Sequence, residues 1–252
     1  DSVSKVELIL PTSTSTGTWT LTSADPSVAS INGLTVTALK SGTTKISAKQ
    51  AASGGFRSII VYLNVTILAV DPVVSAGGFT DRAIEIKLGT PEQISLIAPT
   101  SNSTGAWTFT SSDPTIASVS GNSLTALKPG KITVTAVQGP AAKFGSSKSV
   151  ISTVIVKGRQ SLTAPASVEK LAGDPNIVIA YPVSQSTGKW TATSSDATVA
   201  TVTANSITIG NAGTATITLT QEATETWLAS SVTFTVRVFG VTPTLGAFSP
   251  LE

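Results

Sequence analysis

Apolar and polar residues alternate with period two along most of the chain. The pattern runs through Val6, Leu8 and Leu10, then Trp19 and Leu21, then Leu34, Val36 and Ala38. Ile46 and Ala48 follow, and then Ile59, Val61, Leu63, Val65 and Ile67. Ser and Thr fill most of the intervening positions, as suits the solvent face of a strand, and strong helix formers never gather at helical spacing. The same alternation returns through Ile94, Leu96, Trp107, Phe109, Leu124, Ile132, Val134 and Val154, and again through Ile177, Trp190, Ile207, Ile217, Phe234 and Val236. Short strands between regular turn signals predict an all-β chain built as antiparallel sandwiches or barrels, with about seven strands in each unit.

One stretch is written three times: "STGTWTLTSADPSVASI" at 15–31, "STGAWTFTSSDPTIASV" at 103–119 and "STGKWTATSSDATVATV" at 186–202. The tryptophans Trp19, Trp107 and Trp190 are 88 and 83 residues apart. Units of that length can each bury a core, unlike the shorter repeats of solenoids. The boundaries are placed at 1–70, 71–157 and 158–239, with 240–252 opening a further repeat or forming a donor strand. Turn residues are copied with the strands. Gly17, Gly105 and Gly188 sit two residues before each Trp and call for positive φ or a close backbone approach. Gly42, Gly130 and Gly213 mark a second turn, in "GTTKIS", "GKITVT" and "GTATIT".

Spacing, turn residues and strand pattern together resemble the bacterial immunoglobulin-like (Big) domains of group 2, found in bacterial surface proteins, adhesins and phage virion proteins. The resemblance covers essentially the whole chain three times. It implies three tandem Ig-like antiparallel β-sandwich domains, and an extracellular place on a bacterial cell surface or a phage particle. A scaffold of this kind does not by itself specify a function.

Composition removes several chemistries. The chain has neither cysteine nor histidine, so disulfides, thiol nucleophiles, Ser-His-Asp triads and ordinary zinc sites are excluded. The net charge is +2, with the basic residues scattered singly, so no nucleic-acid partner is expected. The longest apolar run, "SIIVYLNVTILAV" at 58–70, is too short and too interrupted for a membrane-spanning helix, so no membrane insertion is expected. No pair of carboxylates is placed for glycoside hydrolysis, and the chain is read as non-enzymatic.

The three tryptophans are read as structural core residues between the sheets, against a rival role as sugar-stacking platforms. Asp25, Asp113 and Asp196, present in every unit, are read as turn residues whose carboxylates accept backbone N–H groups two positions on. No cofactor is expected. Calcium is the cation to weigh, and only Asp71, Asp81 and Glu85 cluster in sequence near a junction. Phe56, Phe144 and Trp227 each follow a glutamine (Gln50, Gln138, Gln221) by six residues, in loops that vary between units. They are read as plugs at the end of the core, or alternatively as a ligand loop. Lys40 and Lys128 align between units, but no recurring acid stands beside them to form an isopeptide crosslink.

The ends raise a separate expectation. Methionine is absent, which suggests a processed or excised chain. Eighteen residues precede Trp19, where units two and three have about 36 and 32, so unit one is expected to lack its opening strand. The tail "VTPTLGAFSPLE" resembles "VDPVVSAGGFTD" at 70–81. The chain is then either a window on a longer array or a fibre subunit whose tail completes the first unit of its neighbour. The functional expectation is a structural spacer, with further Ig-like domains of the same or a neighbouring chain as partners. The rival is an adhesive module holding a surface glycan or protein through the variable loops.

Overall fold

The computed structural model describes residues 4–246 of the 252. The tail reading covers residues 240–252, of which 247–252 lie outside the described residues; residues 240–246 form no strand. No helix occurs among the described residues, and so none long and apolar enough to cross a membrane.

Unit one contains β1 (Lys5–Glu7), β2 (Trp19–Ser23), β3 (Ala29–Asn32), β4 (Thr35–Ala38), β5 (Gly42–Gln50) and β6 (Ile59–Ile67). Unit two contains β7 (Val74–Ser75), β8 (Arg82–Lys87), β9 (Glu92–Ser95), β10 (Thr100–Ser101), β11 (Trp107–Ser111), β12 (Ala117–Ser120), β13 (Ser123–Ala126), β14 (Gly130–Gln138) and β15 (Val150–Arg159). Unit three contains β16 (Val168–Leu171), β17 (Ile177–Val178), β18 (Trp190–Ser194), β19 (Ala200–Thr203), β20 (Ser206–Ile209), β21 (Gly213–Gln221) and β22 (Ser230–Phe239). The predicted boundary after 157 falls inside β15. That strand continues through Arg159 because Lys157, Gly158 and Arg159 still pair with Glu85, Ile86 and Lys87.

Each unit is built on two main sheets, each sheet keeps to its own unit, and unit two adds a two-stranded ribbon of β7 and β10. The small sheets run β1-β4-β3, β12-β13-β9 and β17-β20-β19. The large sheets run β2-β5-β6, β11-β14-β15-β8 and β16-β22-β21-β18. In unit two the inner faces meet in a core of Ile84, Ile86, Leu96, Phe109, Leu124, Ile132, Val134, Val154 and Val156. Unit three repeats it with Ile179, Ile207, Ile217, Leu219, Phe234, Val236 and Val238. These positions are every second residue of their strands, so the alternation in the sequence reports the pleat directly.

One feature was not predicted. Between the strands the pairing is antiparallel except for one edge in each of units two and three, where β8 lies parallel to β15 and β16 parallel to β22. Unit one has no counterpart to that edge among the described residues, and β6 is paired only with β5. Register shows the consequence. Leu63 of β6 sits opposite Ile46, four residues after the strand-opening Gly42, as Ser152 sits opposite Val134 and Phe234 opposite Ile217. Ser152 and Phe234 are 2% and 7% exposed, whereas Leu63 is 46% exposed. The core of unit one reduces to Ala29, Val36 and Ile46, with Leu8, Ile31, Val65 and Ile67 against it. Full burial of one such aliphatic side chain stabilises by about 1.5–3 kcal/mol, and Leu63 as it stands realises only part of that.

Candidate functional site

The repeated S-T-G sequence builds a turn that is pinned from three directions. Ser103 Oγ accepts the Gly105 N–H at 3.3 Å. The side chain of Gln138, at the end of β14, reaches under the turn and donates from Nε2 to the carbonyls of Ser103 and Gly105, at 2.9 and 2.8 Å. Unit one repeats this with Gln50 on Ser15 and Gly17, and unit three with Gln221 on Ser186 and Gly188. All three glutamines are buried. Close approach rather than positive φ requires the glycine, because a Cβ on Gly105 would lie 1.9 Å from the Gly139 carbonyl oxygen. The sequence showed these glutamines recurring but offered no reason to bury them. That reason is two carbonyls that no strand partner satisfies.

The tryptophans open the strands that follow these turns, and they are half-buried. Trp107 and Trp190 pack against the cores of their units, and Trp190 stacks on Tyr181 with ring centroids 5.4 Å apart. Trp19 lies at a groove with Leu10, Ile31 and Leu34. Gly42, Gly130 and Gly213 each begin the long strand of the large sheet, pressed against Val28, Ile116 and Val199.

The three aspartates form matching turns. Asp25 Oδ1 accepts the N–H and hydroxyl of Ser27, at 2.9 and 2.6 Å. Asp113 and Asp196 do the same with Thr115 and Thr198. These bonds, the side-chain hydroxyl first, hold each carboxyl below its ordinary value of 3.8. A depressed carboxyl contributes stability that is complete above the ordinary pKa and lost as pH falls through the folded value. A carbonyl-carbon NMR titration is expected to place all three midpoints below 3.8; midpoints at or above it would remove the turn from the acid response.

Asp71, Asp81 and Glu85 do not converge. Asp81 Oδ1 accepts the Thr153 N–H at 2.6 Å, and Glu85 faces Arg159 at 3.5 Å. Among the described residues no three acidic side chains form a group able to hold a metal ion. Calcium needs six or more oxygens, and Asp81 and Glu85 are directed to separate partners.

The aromatic loops are placed differently from the expected core plugs. Phe144 is buried and Trp227 half-buried, but both lie outside the main core clusters of their units, and their loops fasten the junction with the unit before. The Val70 N–H donates to the Lys143 carbonyl and the Gly145 N–H to the Val70 carbonyl, both at 2.9 Å. At the next junction the Gly158 N–H donates to the Thr226 carbonyl at 2.9 Å, and the Leu228 N–H to the Gly158 carbonyl at 3.0 Å. Gly158 is needed there, since a Cβ would fall 2.3 Å from Pro129 Cγ and 2.9 Å from the Trp227 ring. Lys131 and Glu225 add an exposed ion pair at 2.7 Å, whose hydrogen bond raises the lysine above its ordinary value. An apolar cleft of about 560 Å³ remains beside the first junction, between Leu39, Leu68, Asn102 and Phe144. Phe56, the equivalent residue of unit one, is 51% exposed, against 8% for Phe144.

Comparison with known proteins falls on the middle unit. Residues 81–150 match the family model of the bacterial Ig-like domain, group 2. The chain is a tandem of Ig-like β-sandwich units, because the S-T-G turn, the Trp strand, the Asp turn and the buried glutamine of the matched unit recur in its two neighbours. No curated protein matches the chain. Among solved structures, Sidekick-1 immunoglobulin domains 1–4 are similar at 10% identity, over 94% of this chain and 71% of that one, with a TM-score of 0.41. Drosophila N-cadherin EC1-3 is similar at 9% identity, over 94% and 92%, with a TM-score of 0.35. Domains 4 and 5 of the S-layer protein SbsC are similar at 21% identity, over 55% and 75%, with a TM-score of 0.23. At these scores the structural likenesses bear on neither function nor partner.

Proposed function

We propose that this chain is a non-catalytic structural spacer in an extracellular array, the stalk or fibre of a bacterial surface protein or a phage virion protein. The observation that carries this reading is the repeated junction. At both boundaries the outgoing chain forms two backbone hydrogen bonds with the aromatic loop of the next unit, so neighbouring Ig-like units are clasped rather than strung on a loose tether. An adhesive module would present its variable loops, whereas two of the three aromatic loops are occupied by these clasps. Exposed Ser and Thr on the outer strand faces, with few charges, suit solubility without strong attraction to other macromolecules.

Nitrogen relaxation of the intact chain tests this. Units two and three are expected to tumble together, and Trp227→Ala is expected to give them separate correlation times while their cores stay folded. Independent tumbling of the wild-type units would overturn the spacer reading. So would a glycan or protein ligand lost on changing Phe56 alone.

A further inference from the structure

We propose that the two junctions carry partner specificity: the exit of each unit fits the aromatic loop of the unit that follows it in this chain and is mismatched to the other loop. The backbone bonds of the two clasps correspond, with Val70 standing where Gly158 stands and Gly145 where Leu228 stands. The side chains around those bonds are exchanged.

At the first junction the exit carries side chains, on Ala69 and Val70, and the loop carries the glycine. A Cβ on Gly145 would already touch Ala69 Cβ at 3.4 Å, so the rest of a leucine would have little space there. Ser41, the residue before the strand-opening Gly42, donates its N–H to the Ala142 carbonyl at 3.2 Å, a third backbone bond across this joint. Ala142 presents that carbonyl from a left-handed backbone, at φ 48°, a conformation unfavourable for any residue with a side chain.

At the second junction the arrangement is reversed. The glycine lies on the exit, and the loop carries Trp227 and Leu228. Pro129 and the Trp227 ring close on Gly158 so tightly that a Cβ there would stand 2.3 Å from Pro129 Cγ and 2.9 Å from the ring. Pro129 takes the place of Ser41 before the strand-opening Gly130, and having no N–H it cannot give the third bond. The Lys131–Glu225 ion pair crosses this joint instead, Glu225 standing where Ala142 stands in the first loop.

The two pairings are therefore not interchangeable. The exit of unit one, set on the loop of unit three, would drive the Val70 side chain into the Trp227 ring. The exit of unit two, set on the loop of unit two, would put Pro129 opposite the Ala142 carbonyl and leave it without its donor. Each wrong pairing costs an overlap or a bond that the native one avoids, which is how an interface discriminates between similar partners. Three units alike in their turns, Trp strands and buried glutamines are exposed to wrong pairing while the chain folds, a characteristic failure of tandem repeats. Matched joints oppose it by keeping unit one from docking on unit three. The inference rests on the spacer reading of the clasps and adds which partner each clasp accepts.

Nitrogen relaxation of full-length variants tests it, with amide exchange in β13 and β20 reporting that the cores stay folded. Gly158→Val is expected to separate the correlation times of units two and three while units one and two stay coupled. Gly145→Leu is expected to do the reverse, and Val70→Gly, which removes a side chain and keeps both bonds, to leave the first joint coupled. A four-residue exchange, Pro129→Ser, Gly158→Val, Trp227→Phe and Leu228→Gly, gives the second junction the residues of the first and is expected to restore common tumbling. Common tumbling in the wild type, in Gly158→Val and in Gly145→Leu alike would overturn the specificity and leave the spacer reading standing. Failure of the four-residue exchange to recouple units two and three would overturn it as well. Independent tumbling of the wild-type units would overturn both readings together.

Discussion

Replacing Gly105 with alanine unfolds unit two at temperatures where the wild-type unit is intact. The added Cβ would stand 1.9 Å from the Gly139 carbonyl oxygen and 2.9 Å from its carbon. Neither strand can move aside cheaply. The Gly139 N–H is bonded to the Ala106 carbonyl at 2.8 Å, and the Gly105 carbonyl is held by Gln138 Nε2 at 2.8 Å. Relief of the overlap breaks at least one of these inside a buried turn, and the combined cost of overpacking and lost bonding is about 3 kcal/mol or more. For a unit of this size that lowers the melting temperature by about 10–25 °C. Calorimetry with the near-ultraviolet signal of Trp107 measures it, and a loss under about 1 kcal/mol would show that the turn yields, since that is the ordinary size of a point substitution. Gly240→Ala is the control, because its Cβ would meet nothing nearer than 3.9 Å.

Gln221→Leu is expected to destabilise unit three more than Gln138→Leu destabilises unit two. Both substitutions leave two turn carbonyls without their donor, at about 1–3 kcal/mol for each buried group. The carboxamide oxygens differ. Gln138 Oε1 is buried with no hydrogen-bond partner among the described residues. Gln221 Oε1 accepts Ser184 Oγ at 2.6 Å and Gln160 Nε2 at 2.7 Å, which ties the segment entering unit three to its core. Leucine at 221 therefore strands further donors, and the difference between the two variants is about one further buried hydrogen bond, 1–3 kcal/mol. Chemical denaturation of the two proteins side by side decides it. Equal losses would mean that the Gln160 network contributes nothing to stability.

The strands themselves were legible because burial in a two-sheet sandwich follows the pleat. Val134, Val154, Ile217 and Val236 are interior for the same reason that they alternate with Ser, Thr or other outward-facing residues. The Asp turns were legible as well, because their bonds close within two residues and need no distant partner.

The parallel edges were not legible. Alternation shows which face of a strand is buried but not which neighbour it takes, and β8 finds β15 only after more than sixty intervening residues have folded. For the same reason the aromatic loops were assigned to the core. Phe144 and Trp227 are apolar and local, and nothing in "QGPAAKF" or "QEATETW" shows that the chain leaving the previous unit will bond beside them.

Taken alone, the sequence determined that this protein is all-β, that its unit repeats three times, and where the turns lie, since each depends on contacts between residues close along the chain. Tertiary structure decided which edges are closed, what the buried glutamines hold, and that the backbone of the aromatic loops bonds to the neighbouring unit. Those outcomes depend on backbone groups brought together from distant positions, and every residue carries the same backbone donor and acceptor, so no side-chain pattern announces them.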